Sequence, residues 1–156
     1  MPSKELKTFL NKENVDYTPM HHAVAYTASE VAGSAHIRGE EMLKPVIVKA
    51  DGKMIMCVVP AIHWIDFDQL KKITGAKNIE LASEEELSKW FVGDELGAEP
   101  PIGKLYQNMP VYAEECLKSN ECVVFNAGSH TETIKMKGSD YLRVCSPKFG
   151  HFGKHV

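Results

Sequence analysis

The feature that most constrains the fold is a two-residue turn between two apolar runs. Asp51 and Gly52 separate the runs 42–50 and 53–60, which are both nearly continuous in apolar residues. An Asp-Gly pair between such runs is the strongest short-range signal for a β-hairpin, because the tight turn needs positive φ angles. Strands without polar alternation are typical of sheets covered on both faces. The sequence therefore predicts a central antiparallel hairpin.

Helical and strand patterns surround this hairpin and predict an α/β class of fold. We expect one domain over residues 1–146, with a mixed, largely antiparallel central sheet flanked by helices. The last ten residues, 147–156, have no periodicity and are expected to form a basic C-terminal tail. Helices are expected over 3–14, 27–36, 83–91 and 139–144, with a further short helix that begins at Asp66 or Asp68 and ends at Gly75. Strands or extended segments are expected over 16–22, 77–81, 110–112, 121–125 and 131–136.

Composition excludes several classes of protein. The chain has 156 residues, 44% of them apolar and 25% charged, which is ordinary for a globular domain and rules out a disordered chain. No apolar run approaches the ~20 residues that a membrane span needs. The four cysteines contain no CxxC pair, so we expect reduced thiols. A cytoplasmic location is predicted from these features and from the charged first residues.

The small net charge of −3 hides an asymmetry along the chain. Residues 80–99 hold seven acidic residues and one basic residue, whereas residues 135–156 hold five basic residues and one acidic residue. Such a split is typical of a protein with one surface that repels polyanions and another that attracts them. Two solvated surfaces without a partner are the alternative. The basic residues are Lys135, Lys137, Arg143, Lys148 and Lys154.

Two clusters of residues are candidates for chemistry. Lys44 lies among apolar neighbours at the start of a central strand, where it either reaches solvent or binds an anion or carbonyl oxygen at a pocket. The segment 125–134 places polar residues and a glycine at a turn between strands, where backbone amides can bind an oxyanion. A polar turn without function is the alternative for this segment. Its polar members are Asn126, Ser129, His130 and Thr131, beside Gly128.

Metal and thiol chemistry have less support in the sequence. His21 and His22 are adjacent and so point to opposite faces of a strand, whereas a metal site needs three or four converging ligands. Cys57 lies between apolar residues and is expected to be buried. No glycine-rich phosphate- or dinucleotide-binding motif occurs. We therefore predict neither a metal nor a cofactor.

The order of the candidate residues resembles a known family, the YbaK/ProX-type aminoacyl-tRNA deacylases. These are related to the editing (insertion) domain of bacterial prolyl-tRNA synthetases. The resemblance covers about residues 15–146 and depends on an ordered set of positions rather than on one motif. Along the chain the set is His22, the run 26–30 with Thr27, Lys44, the turn 51–52, Gly97, Pro101, Gly103, Gly128, Ser129 and His130.

The resemblance implies an α/β fold of the YbaK type and a trans-editing hydrolase. Such an enzyme removes a wrong amino acid from tRNA through attack of water on the 3′-end ester. Lys44 is implied to bind the phosphate of the 3′-terminal adenosine or the developing charge, and the amide at Gly128 to contact the carbonyl or the ribose. His130 is implied to orient water or to bind the ribose. The implied substrate-binding positions are His22, Thr27, Gly97, Pro101, Gly103, Ser129 and Thr131.

The implied partner is a mischarged tRNA, bound through its 3′-terminal adenosine and acceptor stem, with an aminoacyl-tRNA synthetase as a further partner. Neither DNA nor a membrane is expected. The turn 126–130 differs from the turns of the alanine-specific and cysteine-specific members, so Ala, Ser, Thr and Cys all stay open as the amino acid removed. A non-catalytic module that binds an aminoacyl group or a tRNA end is the alternative function. Phe149 and Phe152 either stack on an unpaired base or pack on the domain.

Overall fold

A computed structural model describes residues 4–21 and 38–155. Its helices are α1 (Lys4–Lys12), α2 (Phe67–Thr74), α3 (Glu84–Trp90) and α4 (Gly138–Cys145), with short 3₁₀ turns at Gly103–Leu105 and Glu115–Ser119. Its strands are β1 (Tyr17–His21), β2 (Leu43–Ala50), β3 (Lys53–Pro60), β4 (His63–Ile65), β5 (Ile79–Leu81), β6 (Val111–Glu114), β7 (Cys122–Ser129), β8 (Glu132–Lys137), β9 (Lys148–Gly150) and β10 (Gly153–His155).

The predicted hairpin forms the centre of the larger sheet. β2 and β3 pair antiparallel along their whole length, from Ala50 opposite Lys53 to Leu43 opposite Pro60. Asp51 and Gly52 have φ angles of 50° and 84°, as a tight hairpin turn requires. The sheet order is β5-β2-β3-β6-β9, in which β6 and β9 run parallel to their neighbours. The prediction of an α/β fold with a mixed sheet is confirmed.

A second, antiparallel sheet of order β1-β8-β7 is joined to the first at the beginning of β2. Met42 and Val124 form an isolated parallel bridge. The Val124 amide donates to the carbonyl of Glu41 at 2.9 Å, and the Ala61 amide donates to the carbonyl of Met42 at 2.7 Å. The start of β2, the end of β3 and the middle of β7 therefore meet at one place.

The helices cover both faces of the sheets with two clusters of apolar side chains. The larger cluster joins one face of β2 and β3 to β7, β8, α1 and α4, and includes Leu6, Leu43, Phe125 and Tyr141. The smaller cluster covers the opposite face of β2 and β3 with Leu70 of α2 and with Phe152. Burial of β3 from Met54 to Pro60 confirms that the hairpin is central.

The predicted helix boundaries around α2 and α3 follow from local capping. The Asp66 carboxylate accepts from the amides of Asp68 and Gln69, and Gly75 ends α2 with a left-handed φ of 75°. Ser83 and Glu86 form the capping box that begins α3. The helix predicted over 27–36 lies outside the described residues. No helix of the described ranges has the length and apolar character to cross a membrane.

The segment after Ser146, which the sequence indicated as a basic tail without periodicity, forms two short strands in its described part. β9 pairs with β6, and β10 pairs with β4. The side chain of Phe152 is 1% exposed, so it packs on the domain and is not available to stack on a base. The buried Glu114 carboxylate accepts from the amides of Phe152 and Gly153, and from Nδ1 of His151 at 2.8 Å. These long-range bonds hold the segment in place.

Candidate active site

The turn between β7 and β8 is held by the loop 93–103. Gly128 has a φ of 93° and lies within a register shift between Asn126 and Ser129. The Gly128 amide donates to the carbonyl of Ala98 at 2.9 Å, and its carbonyl accepts from the amide of Glu95 at 2.9 Å. Both backbone groups of Gly128 are therefore bonded within the protein. The positive φ explains why glycine occupies this bulge.

His130 fastens the same loop from the other side of the turn. Its side chain is buried, its amide donates to Oε1 of Glu95 at 3.0 Å, and its Nε2 lies 2.8 Å from the carbonyl oxygen of Leu96. Since a carbonyl oxygen only accepts, Nε2 carries the proton. Ser129 and Thr131 bond to each other through their hydroxyls at 3.0 Å. The predicted site residues 128–131 thus lie together and are bonded mainly to protein groups.

The glycines and proline of the loop 97–103 also have structural partners. Gly97 has a φ of 87°, and its amide donates to Oε2 of Glu99 at 2.9 Å. The Pro101 carbonyl accepts from the Tyr141 hydroxyl at 2.7 Å. A Cβ on Gly103 would overlap the carbonyl of Met109. The loop that holds the implied substrate-binding positions is therefore fixed to β7 by backbone bonds and to α4 by the Tyr141 hydroxyl.

Glu99 is a buried carboxylate within this loop. It is 4% exposed, and desolvation by burial raises the pKa of its carboxyl, opposed by the bond from the Gly97 amide and by the nearby His130. The sequence placed Glu99 only in an acidic surface segment. Its burial results from the packing of the loop 93–103 against the Gly128–His130 turn.

Lys44 lies at the start of β2 on the face opposite to the large apolar cluster, to which its neighbour Leu43 belongs. Its ammonium donates to the carbonyl of Ala61 at a long 3.4 Å, and partial burial lowers the pKa of Lys44. An ammonium has three N–H donors. Among residues 4–21 and 38–155, the Ala61 carbonyl is the one acceptor for them.

Lys44 and Asn126 lie at the same level of two neighbouring strands. Each is two residues past the parallel bridge between Met42 and Val124, and side chains two residues apart share a face. Asn126 in turn lies directly opposite Thr133 on β8. The fold therefore brings Lys44 to β7 just before the Gly128 turn, and adds Asn126 and Thr133 to the site.

Asn126 and Thr133 lie in the candidate segment 125–134, but the sequence pattern indicated no role in the site for either residue. Asn126 interrupts an apolar run, 123–127, and so stands out among its neighbours. Thr133 alternates normally with Ile134 and has no distinguishing pattern. The predicted positions His22 and Thr27 lie outside the described residues.

Metal binding and thiol chemistry are the other possibilities that the sequence raised. In the described part of the chain, no group of three His, Cys, Asp or Glu side chains converges as a metal site. Burial raises the pKa of Cys57 to about 12, so its thiolate is scarce at neutral pH. Cys57 is packed inside the smaller apolar cluster, as the sequence indicated.

The chain belongs to the aminoacyl-tRNA editing domain family, whose model matches residues 22–144. It is 28% identical over 155 residues to the multifunctional Ser/Thr-tRNA deacylase ProXp-y of Escherichia coli, covering 96% of this chain and 91% of that protein. It is also 28% identical over 113 residues to the proline–tRNA ligase of Bacillus subtilis. That match covers 71% of this chain but 20% of the ligase, so the chain spans about a fifth of that relative.

Solved structures show the same fold at low sequence identity. The crystal structure of hypothetical protein APE2540 superposes with a TM-score of 0.86 at 16% identity, covering 97% of this chain and 100% of that chain. A protein described as a candidate trans-editing enzyme for prolyl tRNA synthetase superposes with a TM-score of 0.81 at 15% identity, covering 97% and 96%. The YbaK-type fold implied by the sequence resemblance is thus confirmed.

Proposed function

We propose that this protein is an aminoacyl-tRNA deacylase that hydrolyses the 3′-end ester of mischarged tRNA in trans. Membership of the editing-domain family over residues 22–144 is the observation that carries the proposal. The likeness to a Ser/Thr-tRNA deacylase over 91% of that protein supports deacylation in trans. With this function we expect the protein to act in the cytoplasm.

The site supports hydrolysis by water rather than by a protein nucleophile. An ester needs no covalent intermediate if a water is held about 3 Å from the carbonyl carbon and the oxyanion is stabilised. Lys44 supplies a partly desolvated ammonium whose N–H donors are mostly unused by the described residues. We assign to it the phosphate of the 3′-terminal adenosine or the developing negative charge, because an ammonium in a partly buried site attracts anions strongly.

We assign Gly128 and His130 to positioning rather than to contact with the ester. The Gly128 amide is bonded to Ala98, and Nε2 of His130 to Leu96. These bonds fix the loop 93–103 against the strand that carries Asn126. A loop held in this way fixes the walls of the aminoacyl site, and small displacements of such walls cost catalytic rate.

The acceptor stem is proposed to approach along the exposed side of β8. Lys135 and Lys137 are exposed on the same face of β8 as Thr133. The other predicted bases are engaged by this protein's own groups: Lys154 with Asp66 at 3.1 Å, Arg143 with Asp140 at 3.5 Å, and Lys148 over the ring of Tyr112 at 5.9 Å. Lys135 and Lys137 are therefore the best placed for phosphates.

The function is tested by incubating the purified protein with tRNAs charged with labelled Ser, Thr, Ala or Cys. We expect release of at least one labelled amino acid at catalytic protein concentration. Binding of the charged tRNAs without release would replace the proposal by the non-catalytic binding module. Equal hydrolysis of a free amino-acid ester would show that tRNA is not the substrate.

The tRNA surface is tested with the double variant Lys135→Glu and Lys137→Glu. Each phosphate that is no longer neutralised reduces the slope of log K against log salt by about 0.7–0.9, so the slope should fall by about 1.5. The control is Lys72→Glu with Lys77→Glu, at exposed positions on and after α2. An unchanged slope in the first variant would contradict the proposed approach of the stem.

A further inference from the structure

The polar pair formed by Asn126 and Thr133 has buried atoms without a hydrogen-bond partner in the described part of the chain. The two residues face each other directly on β7 and β8, and they are 5% and 0% exposed. Neither Oδ1 of Asn126 nor Oγ1 of Thr133 has a hydrogen-bond partner among the described residues 4–21 and 38–155. Buried polar groups are nearly always paired, and an unpaired one lowers stability. Two of them side by side therefore indicate a bound group.

The pair faces the side of the sheet on which Lys44 lies. Phe125, Ala127 and Ile134, which flank the pair along the strands, belong to the large apolar cluster. By strand alternation, Asn126 and Thr133 point to the other face. Lys44 lies level with Asn126 on that same face, past the bridge between β2 and β7. The three side chains thus belong to one site.

The hydrogen-bond donors and acceptors of Asn126 and Thr133 limit the chemical groups that the pair can bind. An amide oxygen accepts, and a threonine hydroxyl donates or accepts, so the pair matches a group with one donor and one acceptor. A hydroxyl has this composition. The α-ammonium of an aminoacyl group fits less well, because it has no acceptor, and because the cationic Lys44 lies on the same face without a carboxylate in the pair.

We propose that Asn126 and Thr133 bind the side-chain hydroxyl of the aminoacyl group, and that the protein acts on seryl and threonyl esters in preference to alanyl esters. The inference rests on the proposed deacylase function and names its substrate class. A site that hydrogen-bonds a hydroxyl discriminates strongly against an analogue without it, since the polar groups of the site are then left unpaired. The relative named as a Ser/Thr-tRNA deacylase agrees with this class.

The first test compares hydrolysis of Ser-tRNA and Ala-tRNA, matched in tRNA body, by three proteins. We expect the original protein to prefer Ser-tRNA by at least about tenfold in kcat/KM, and Thr133→Val to lose most of this preference through slower hydrolysis of Ser-tRNA. Thr18→Val is the matched control, since Thr18 is exposed on the same face of the neighbouring β1. Thr133→Val with an unchanged Ser-to-Ala ratio would overturn the inference.

A second test measures binding without hydrolysis. Adenosine linked through a 3′-amide to serine or to alanine carries the same ribose, so the difference in affinity reports the side-chain hydroxyl alone. We expect the seryl analogue to bind at least about tenfold more tightly, and Asn126→Leu and Thr133→Val to remove the difference. Equal affinities for the original protein would overturn the inference. A lack of hydrolysis of every charged tRNA would instead refute the proposed function and leave this measurement valid.

Thermal unfolding separates a binding role from a structural one. Because the two polar atoms have no bonds to lose within the described residues, Thr133→Val should leave the melting temperature unchanged or raise it. A structural role predicts a lower melting temperature with an unchanged Ser-to-Ala ratio, and that result would contradict the proposal.

Discussion

The Gly128–His130 turn and the Asn126–Thr133 pair lie within a few residues of each other on β7, yet their polar groups differ in use. The turn is tied to the loop 93–103 by backbone and side-chain bonds of 2.8–3.0 Å. Asn126 and Thr133 have buried atoms without partners in the described ranges. The bonds of the first region make it rigid, whereas we propose that the second region binds a ligand. A polar residue near a site is thus informative only when its bonds are known.

The largest expected effect comes from a change at Lys44, which lies on the same face as the Asn126–Thr133 pair. We expect Lys44→Ala to lower deacylation at least about a hundredfold, because the charge that stabilises the phosphate or the oxyanion is removed. Circular dichroism and thermal unfolding should show an intact fold, since the one described contact of the ammonium is a 3.4 Å bond. Lys53→Ala, at an exposed position of the same hairpin, is the control. A folded Lys44→Ala protein with full activity would refute the assignment.

A second comparison uses two glycines with positive φ. Gly128→Ala and Gly52→Ala place a Cβ at φ angles of 93° and 84°, which costs about 1–2 kcal/mol of unfolding free energy in each variant. Gly52 lies at the hairpin turn, where a Cβ meets no atom within 4 Å. Activity should fall about tenfold in Gly128→Ala alone, since only that change disturbs the loop 93–103. Equal activity of the two variants would show that the turn has no part in the site.

Tyr141→Phe tests the rigid region through its anchor on α4. Removal of the hydroxyl leaves the buried Pro101 carbonyl with the weaker Cys145 Sγ contact at 3.6 Å. We expect a loss of about 1 kcal/mol, or a melting temperature lower by about 2–4 °C. Tyr17→Phe, at a half-buried tyrosine on β1, is the control. If both variants melt at the same temperature, the Pro101 bond does not stabilise the loop.

Glu99→Gln should give the smallest effect, visible in the pH dependence of stability. Burial raises the pKa of Glu99 above 4.5, its ordinary value, so the folded state binds a proton more tightly than the unfolded state. Stability contributed by this group is therefore present below 4.5 and is lost as pH rises through the folded pKa. Glu99→Gln keeps an acceptor for the Gly97 amide and removes this loss. Denaturant unfolding from pH 4 to pH 7 should show a flatter profile for the variant, and an unchanged slope would exclude burial of a charged Glu99.

Local rules explain which parts of the fold could be predicted from the sequence. The Asp51-Gly52 turn, the Asp66 cap and the Ser83 capping box depend on residues within a few positions of each other. The position of Lys44 at the start of a central strand follows from its apolar neighbours in the same way. The hairpin and the approximate bounds of these helices could be predicted because contacts between residues close in the chain stabilise them.

The sequence by itself determined the α/β class, the central hairpin and the ordered set of residues that indicates an editing domain. Only the tertiary structure decided that β9 and β10 join the sheets. There the Glu114 carboxylate accepts hydrogen bonds from the amides of Phe152 and Gly153, which lie 38 and 39 residues further along the chain. It also decided that His130 bonds to Leu96, and that Asn126 and Thr133 are buried without described partners on the side of Lys44. Burial and hydrogen-bond satisfaction depend on contacts between distant segments, so they cannot be obtained from local patterns.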